Sequence, residues 1–144
     1  MQIQRIQSLY IFLAIIAMAV FLIMPYGEVV HLDDPLMSTA PLYTMEEYGV
    51  LIPTGAVIIL LLVGLFTYRN PALQRTIVMV CLMLTLATMA VICFTLYKQA
   101  TSEGLDAHFA WWDLLLIVAA VLEILAVAGI NHDIKLLKSY DRLR

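Results

Sequence analysis

The stretch YRNPALQR, Tyr68 to Arg75, is a short polar interruption between two long apolar runs, roughly Val50 to Tyr68 and Ala72 to Tyr97. Asn70 is a preferred helix cap, and Pro71 in the first position of a helix loses no intrahelical hydrogen bond. One helix can therefore end and the next begin within a few residues, which predicts an antiparallel helical hairpin. Pro53 lies near the start of the first of these two runs, where its missing donor matters little, so no functional kink is expected there.

Outward from the hairpin, two further apolar runs flank the pair: roughly Ile6 to Pro25 on one side and Trp111 to Ile130 on the other. A hydrocarbon core about 30 Å thick takes about 20 helical residues to cross, and each run supplies about that many. With 63% apolar and 13% charged residues in 144, the chain has more apolar surface than one small soluble core could hide. The expectation is all-α: a single domain, residues 1–144, forming an integral membrane four-helix bundle with antiparallel up-down order and the lipid bilayer as its first partner. The first run, longer than a usual signal-peptide core, is read as a retained anchor; the small pair Ser38 and Ala40 is followed by Pro41, a poor neighbour for cleavage. Tyr26, Tyr48, Trp111 and Trp112 fall at one set of span ends and Tyr10 and Tyr68 near the other, as expected of rings at the headgroup layer.

Charge sets the orientation. If both termini face the cytoplasm, that side receives Arg5, Arg69, Arg75, Lys135, Lys138, Arg142 and Arg144, and the other side only Lys98. The connecting segments opposite, roughly Gly27 to Gly49 and Lys98 to Ala110, are acidic, carrying Glu28, Asp33, Asp34, Glu46, Glu47, Glu103 and Asp106. The net charge of −3 thus conceals a dipolar distribution, and no interleaving of basic and aromatic residues points to nucleic acid.

The motifs that would carry chemistry are missing. Cys81 and Cys93 fall in one span about 18 Å apart by helical rise, beyond the reach of a disulfide. His31, His108 and His132 lie outside the spans, which argues against a haem held within the bundle. His31 with Asp33 and Asp34, and His108 with Asp106, lack the spacing of a metal motif and are read as hydrated loop residues. His132 and Asp133 are read as a hydrogen-bonding pair at a helix end. No phosphate loop, nucleophile elbow or paired-acid motif is present, so neither enzyme chemistry nor a cofactor is expected.

Glu123 is the exception, a carboxyl group within VAAVLEILAVAG, Val118 to Gly129. Positions 116, 119, 120, 123, 126, 127 and 130 share a helical face rich in alanine, which lets another helix approach closely. On the third span Cys81, Thr85, Thr88, Ile92 and Thr95 form a matching stripe, with Cys81 and Thr85 near the depth of Glu123. These residues predict a carboxyl-to-hydroxyl hydrogen bond between the third and fourth spans, with Glu123 neutral at rest. Intramembrane acids also serve as proton carriers, so a proton site at Glu123, Thr85, Thr88 and Cys81 is the competing expectation. Small four-span multidrug exporters place their membrane glutamate in the first span, and the first span here has no acid.

The closing segment, residues 131–144, alternates differently. Ile134, Leu137 and Tyr140 recur on one side, whereas Lys135, Lys138, Arg142 and Arg144 occupy the rest, giving a short basic amphipathic extension of the fourth helix. Such a segment suits either the anionic inner leaflet or docking of a cytoplasmic partner through Lys135, Lys138, Tyr140, Arg142 and Arg144.

The opening IQRIQSLY, the central YRNPALQR and the closing KLLKSYDRLR, with four spans between them, resemble an uncharacterised family of small inner-membrane proteins from Bacteroidota, domain of unknown function 4293. The resemblance covers essentially the whole chain. It implies a four-span bacterial inner-membrane protein and no reaction. Two functional classes remain: a non-enzymatic accessory or structural subunit acting through helix and tail contacts with other membrane subunits or copies of itself, or a small oligomeric proton-coupled carrier using Glu123.

Overall fold

In the computed structural model, which describes residues 2–30, 39–102 and 106–142, four helices form the body of the molecule. They are α1 (Gln2–Ile23), α2 (Tyr48–Phe66), α3 (Pro71–Ser102) and α4 (Leu114–Arg142), the last preceded by a single 3-10 turn at Trp111–Asp113. Each contains a stretch long and apolar enough to cross a membrane. Packing is cyclic: α1 lies against α2 and α4, and α3 against the same two. The turn at Asn70 behaves as its residues dictate. Asn70 accepts the Gln74 amide on its carbonyl at 3.0 Å, and its side chain lies 3.5 Å from the Leu73 amide. At the end of α2, the Thr67 hydroxyl donates to Val63 O at 2.6 Å. Helix α2 passes through Pro53 without a break.

The connections at the other end are not simple loops. Strands β1 (Pro25–Val30), β2 (Thr39–Tyr43) and β3 (Asp106–Phe109) form an antiparallel sheet in the order β2-β1-β3, which corrects the all-α expectation. The strands are short and compositionally disguised. β1 holds Pro25 and Gly27, and β2 holds Pro41, residue types depleted from sheets. Pro41 is tolerated because β2 is an edge strand. Gly27 leaves room for α3, since a Cβ there would lie 2.7 Å from Leu96 Cδ2, whose side chain would have to shift. The sheet follows α1, precedes α2 and lies between α3 and α4, so the C-termini of α1 and α3 and the N-termini of α2 and α4 meet at one end. This is the up-down order expected.

Buried residues run the length of the bundle axis: Ile11, Ala14, Met18 and Phe21 of α1, Val57 and Leu61 of α2, Val78 and Ile92 of α3, Leu116 and Ile130 of α4. The outward faces are equally apolar. Ile59 is 63% exposed, Met83 68% and Phe94 67%, among many large apolar side chains on the outer faces, a surface compatible with a membrane. Tyr26 departs from expectation: strand β1 turns it inward, where it is 1% exposed in the core rather than at a headgroup surface. Trp111 and Tyr48 do stand outward.

Candidate functional site at the seam of the third and fourth helices

The inward face of α4 comprises Leu116, Ala119, Ala120, Glu123, Ala126 and Ile130, all buried. The alanines of this face let a neighbouring helix approach closely. Cys81, Thr85, Thr88 and Ile92 are buried on the facing stripe of α3. The structure joins the two at one point: Thr85 Oγ1 lies 3.2 Å from Glu123 Oε1, and Glu123 is 1% exposed.

Proton counting constrains this contact. The Thr85 hydroxyl also lies 3.0 Å from the carbonyl of Cys81, which can only accept. One hydroxyl proton cannot serve both acceptors fully, so the Cys81 carbonyl is a ready alternative whenever Glu123 is removed. Glu123 Oε2 has no hydrogen-bond partner among the described residues. The other two residues of the expected cluster turn elsewhere. Thr88 Oγ1 donates to Leu84 O at 2.9 Å, within its own helix, and Cys81 Sγ faces Val57 O of α2 at 4.0 Å. Thr85 is thus the side chain that the fold brings to Glu123.

Two polar ties lie outside the sequence reading. Gln7, on α1, is buried and donates through Nε2 to Asp133 Oδ2 of α4 at 2.6 Å. Asp133 therefore pairs with another helix, which corrects the expected pairing with His132, whose side chain is exposed. Gly129, one turn before Asp133, makes this possible: a Cβ there would lie 2.9 Å from Gln7 Cγ. Gln74 at the start of α3 donates to Gly64 O of α2 at 3.1 Å. For Gln7 the signal was an amide entering the apolar stretch of α1 opposite a glycine, legible only once α1 is known to pack on α4.

Helix α4 runs unbroken to Arg142, so the basic segment continues the helix axis rather than folding away. Lys135, Lys138, Tyr140 and Arg142 are all exposed, while Ile134 still packs against the core. Arg144 lies outside the described residues, as do His31, Asp33, Asp34 and Glu103. Among the described residues, no three His, Cys, Asp or Glu side chains gather as a metal site would require.

The family model for Domain of unknown function (DUF4293) matches residues 3–143. No curated protein and no solved structure matches the chain.

Proposed function

Since the chain belongs to the DUF4293 family, whose description names no activity, we propose that it is a non-enzymatic module of a bacterial inner membrane, an accessory or structural subunit with both termini cytoplasmic. One observation carries this reading: the mid-depth carboxyl group, Glu123, is sealed between α3 and α4 and spends its hydrogen bond on Thr85 of the neighbouring helix. An acid used this way fixes helix register. A proton carrier needs alternating contact with both sides of the membrane, and a side chain 1% exposed has contact with neither in this conformation.

The basic end of the bundle supports the orientation. Arg69, Arg75, Lys135, Lys138 and Arg142 gather at the end opposite the sheet, as cytoplasmic loops require. The exposed α4 tail and the outward apolar faces are the surfaces such a subunit would offer to membrane partners or to a second copy of itself.

The test is copurification from native membranes in mild detergent, followed by mass spectrometry, comparing the native chain with Glu123→Gln. A stoichiometric partner retained by both proteins supports the module. The competing carrier reading draws on the unpartnered Glu123 Oε2, a place for a proton. It would be favoured by proton flux into liposomes containing the purified chain alone, abolished by Glu123→Gln.

A further inference from the structure

A crevice of about 410 Å³ opens at the sheet end of the bundle, between α3 and α4 and under β3. Its walls include Met89, Ile92, Phe109, Trp111 and Ile117, and its principal polar member is Asp113. Volume and lining match a site for a small organic molecule, for which apolar walls supply affinity and one or two polar groups set orientation.

Asp113 is the anomaly. It stands immediately before α4, where an aspartate ordinarily accepts a hydrogen bond from the first free amides of the helix. Here the Ala110 backbone amide lies close enough to favour the carboxylate but too poorly placed for a full hydrogen bond, and among the described residues neither Oδ1 nor Oδ2 has another partner, though both atoms are covered. Leaving two carboxylate oxygens dry and unpaired is costly unless a donor arrives. Asp113 lines the crevice and is only half-buried as a residue, so the ligand's approach requires its side chain to rotate the covered carboxylate toward the crevice.

We propose that this crevice binds an apolar molecule carrying one ammonium group, with the apolar body against Met89, Ile92 and Ile117 and the cation on Asp113. An ammonium satisfies both oxygens with charge-assisted hydrogen bonds, whereas an alcohol offers one neutral donor and a fatty acid brings like charge. The site lies on the opposite end of α4 from the basic tail and does not involve Glu123.

The probes are dodecylamine, dodecanol and dodecanoate, titrated into the purified full chain in a neutral detergent at mildly alkaline pH. Tryptophan emission reports occupancy, because Trp111 lines the crevice and the chain contains 2 tryptophans, adjacent in sequence. Dodecylamine should bind saturably and roughly tenfold more tightly than dodecanol, with dodecanoate weakest, as expected for one charge-assisted pair. Asp113→Asn should bring the amine down to the level of the alcohol and leave alcohol binding unchanged. Equal affinity of native protein for amine and alcohol, or an unaltered amine affinity in Asp113→Asn, overturns the proposal. Should Asp113→Asn fail to fold, Ile117→Phe decides on its own: narrowing the crevice must weaken the amine and alcohol together, and amine binding that is indifferent to it places the ligand elsewhere.

Discussion

At the scale of single residues, three polar side chains inside an apolar molecule act in different ways. Glu123 gives one oxygen to Thr85 and leaves the other unpaired, while Thr85 has the Cys81 carbonyl in reserve. Removing the acid therefore strands no donor, and Glu123→Gln should alter stability by less than about 0.5 kcal/mol. Glu123→Leu should stay within about 1 kcal/mol of native in either direction, because replacing a half-satisfied polar group by an apolar one of similar shape is nearly neutral. Unfolding titrations in mixed detergent micelles measure both, and a loss above about 3 kcal/mol in either would show a required polar network. Gln7 and Gly129 are coupled instead. Gly129→Ala alone drives a methyl into Gln7 Cγ and strains the bond to Asp133, offsetting the helical preference for alanine. In a Gln7→Ala background the same change should stabilise by about 1 kcal/mol, the ordinary propensity gain, and the double-mutant cycle reads the difference. Additive effects would dissociate the two residues. For Tyr26, burial, then the carboxylates of Glu47, Asp113 and Glu46, push the phenol up from 10.0 to about 12. A raised phenol stabilises the fold fully below its unfolded value and loses that contribution as pH climbs through the folded one. Stability should thus fall by roughly 2 kcal/mol between pH 10.0 and about 12, a fall that Tyr26→Phe removes.

At the scale of elements, α4 combines two sequence regimes on one continuous rod. From Leu116 to Ile130 the inward residues are small or branched and pack on α1 and α3. From Lys135 onward every described side chain is exposed, so the last 8 described residues project about 12 Å past Ile134 along the helix axis. A projecting helix is suited to display, and a segment lying flat on the leaflet would require a break that α4 lacks. Scrambling residues 134–144 while preserving charge and amphipathicity should leave insertion intact and reduce recovery of copurifying partners, because guanidinium geometry is specific to position. Equal recovery at equal membrane levels would instead assign the tail to electrostatic anchoring, which depends on charge and not on order. The sheet is the other element with a structural task. Thr44, just beyond β2, lies with its hydroxyl 3.0 Å from Met24 O and 3.3 Å from Phe21 O, the latter also accepting the Met24 amide at 3.2 Å, so the sheet side closes over the carbonyls where α1 ends.

At the scale of the whole molecule, a hydrophobic bundle with a basic end and an acidic, sheet-capped end is an oriented object. With Cys81 and Cys93 replaced by alanine, a cysteine introduced at Ser102 should react with an impermeant thiol reagent in cells whose outer barrier has been made permeable. One introduced at Ser139 should react only after the inner membrane is opened. The reverse pattern would place the acidic end in the cytoplasm and overturn the charge argument.

The sequence by itself determined the four long apolar helices, the hairpin at Asn70 and Pro71, and the inward face of α4, because each is written in local periodicity and composition. It also placed Cys81 and Thr85 near the depth of Glu123, since helical spacing fixes the face and depth of each along its helix; the structure chose Thr85. Only the tertiary structure decided the sheet, whose strands carry Pro25, Gly27 and Pro41 and are held by pairing between segments distant in the chain. It alone joined Gln7 to Asp133, set Thr88 and Cys81 apart from Glu123, and drew Met89, Trp111 and Asp113 around one crevice. Each of these depends on which helix faces which, and periodicity along one helix carries no record of its neighbour.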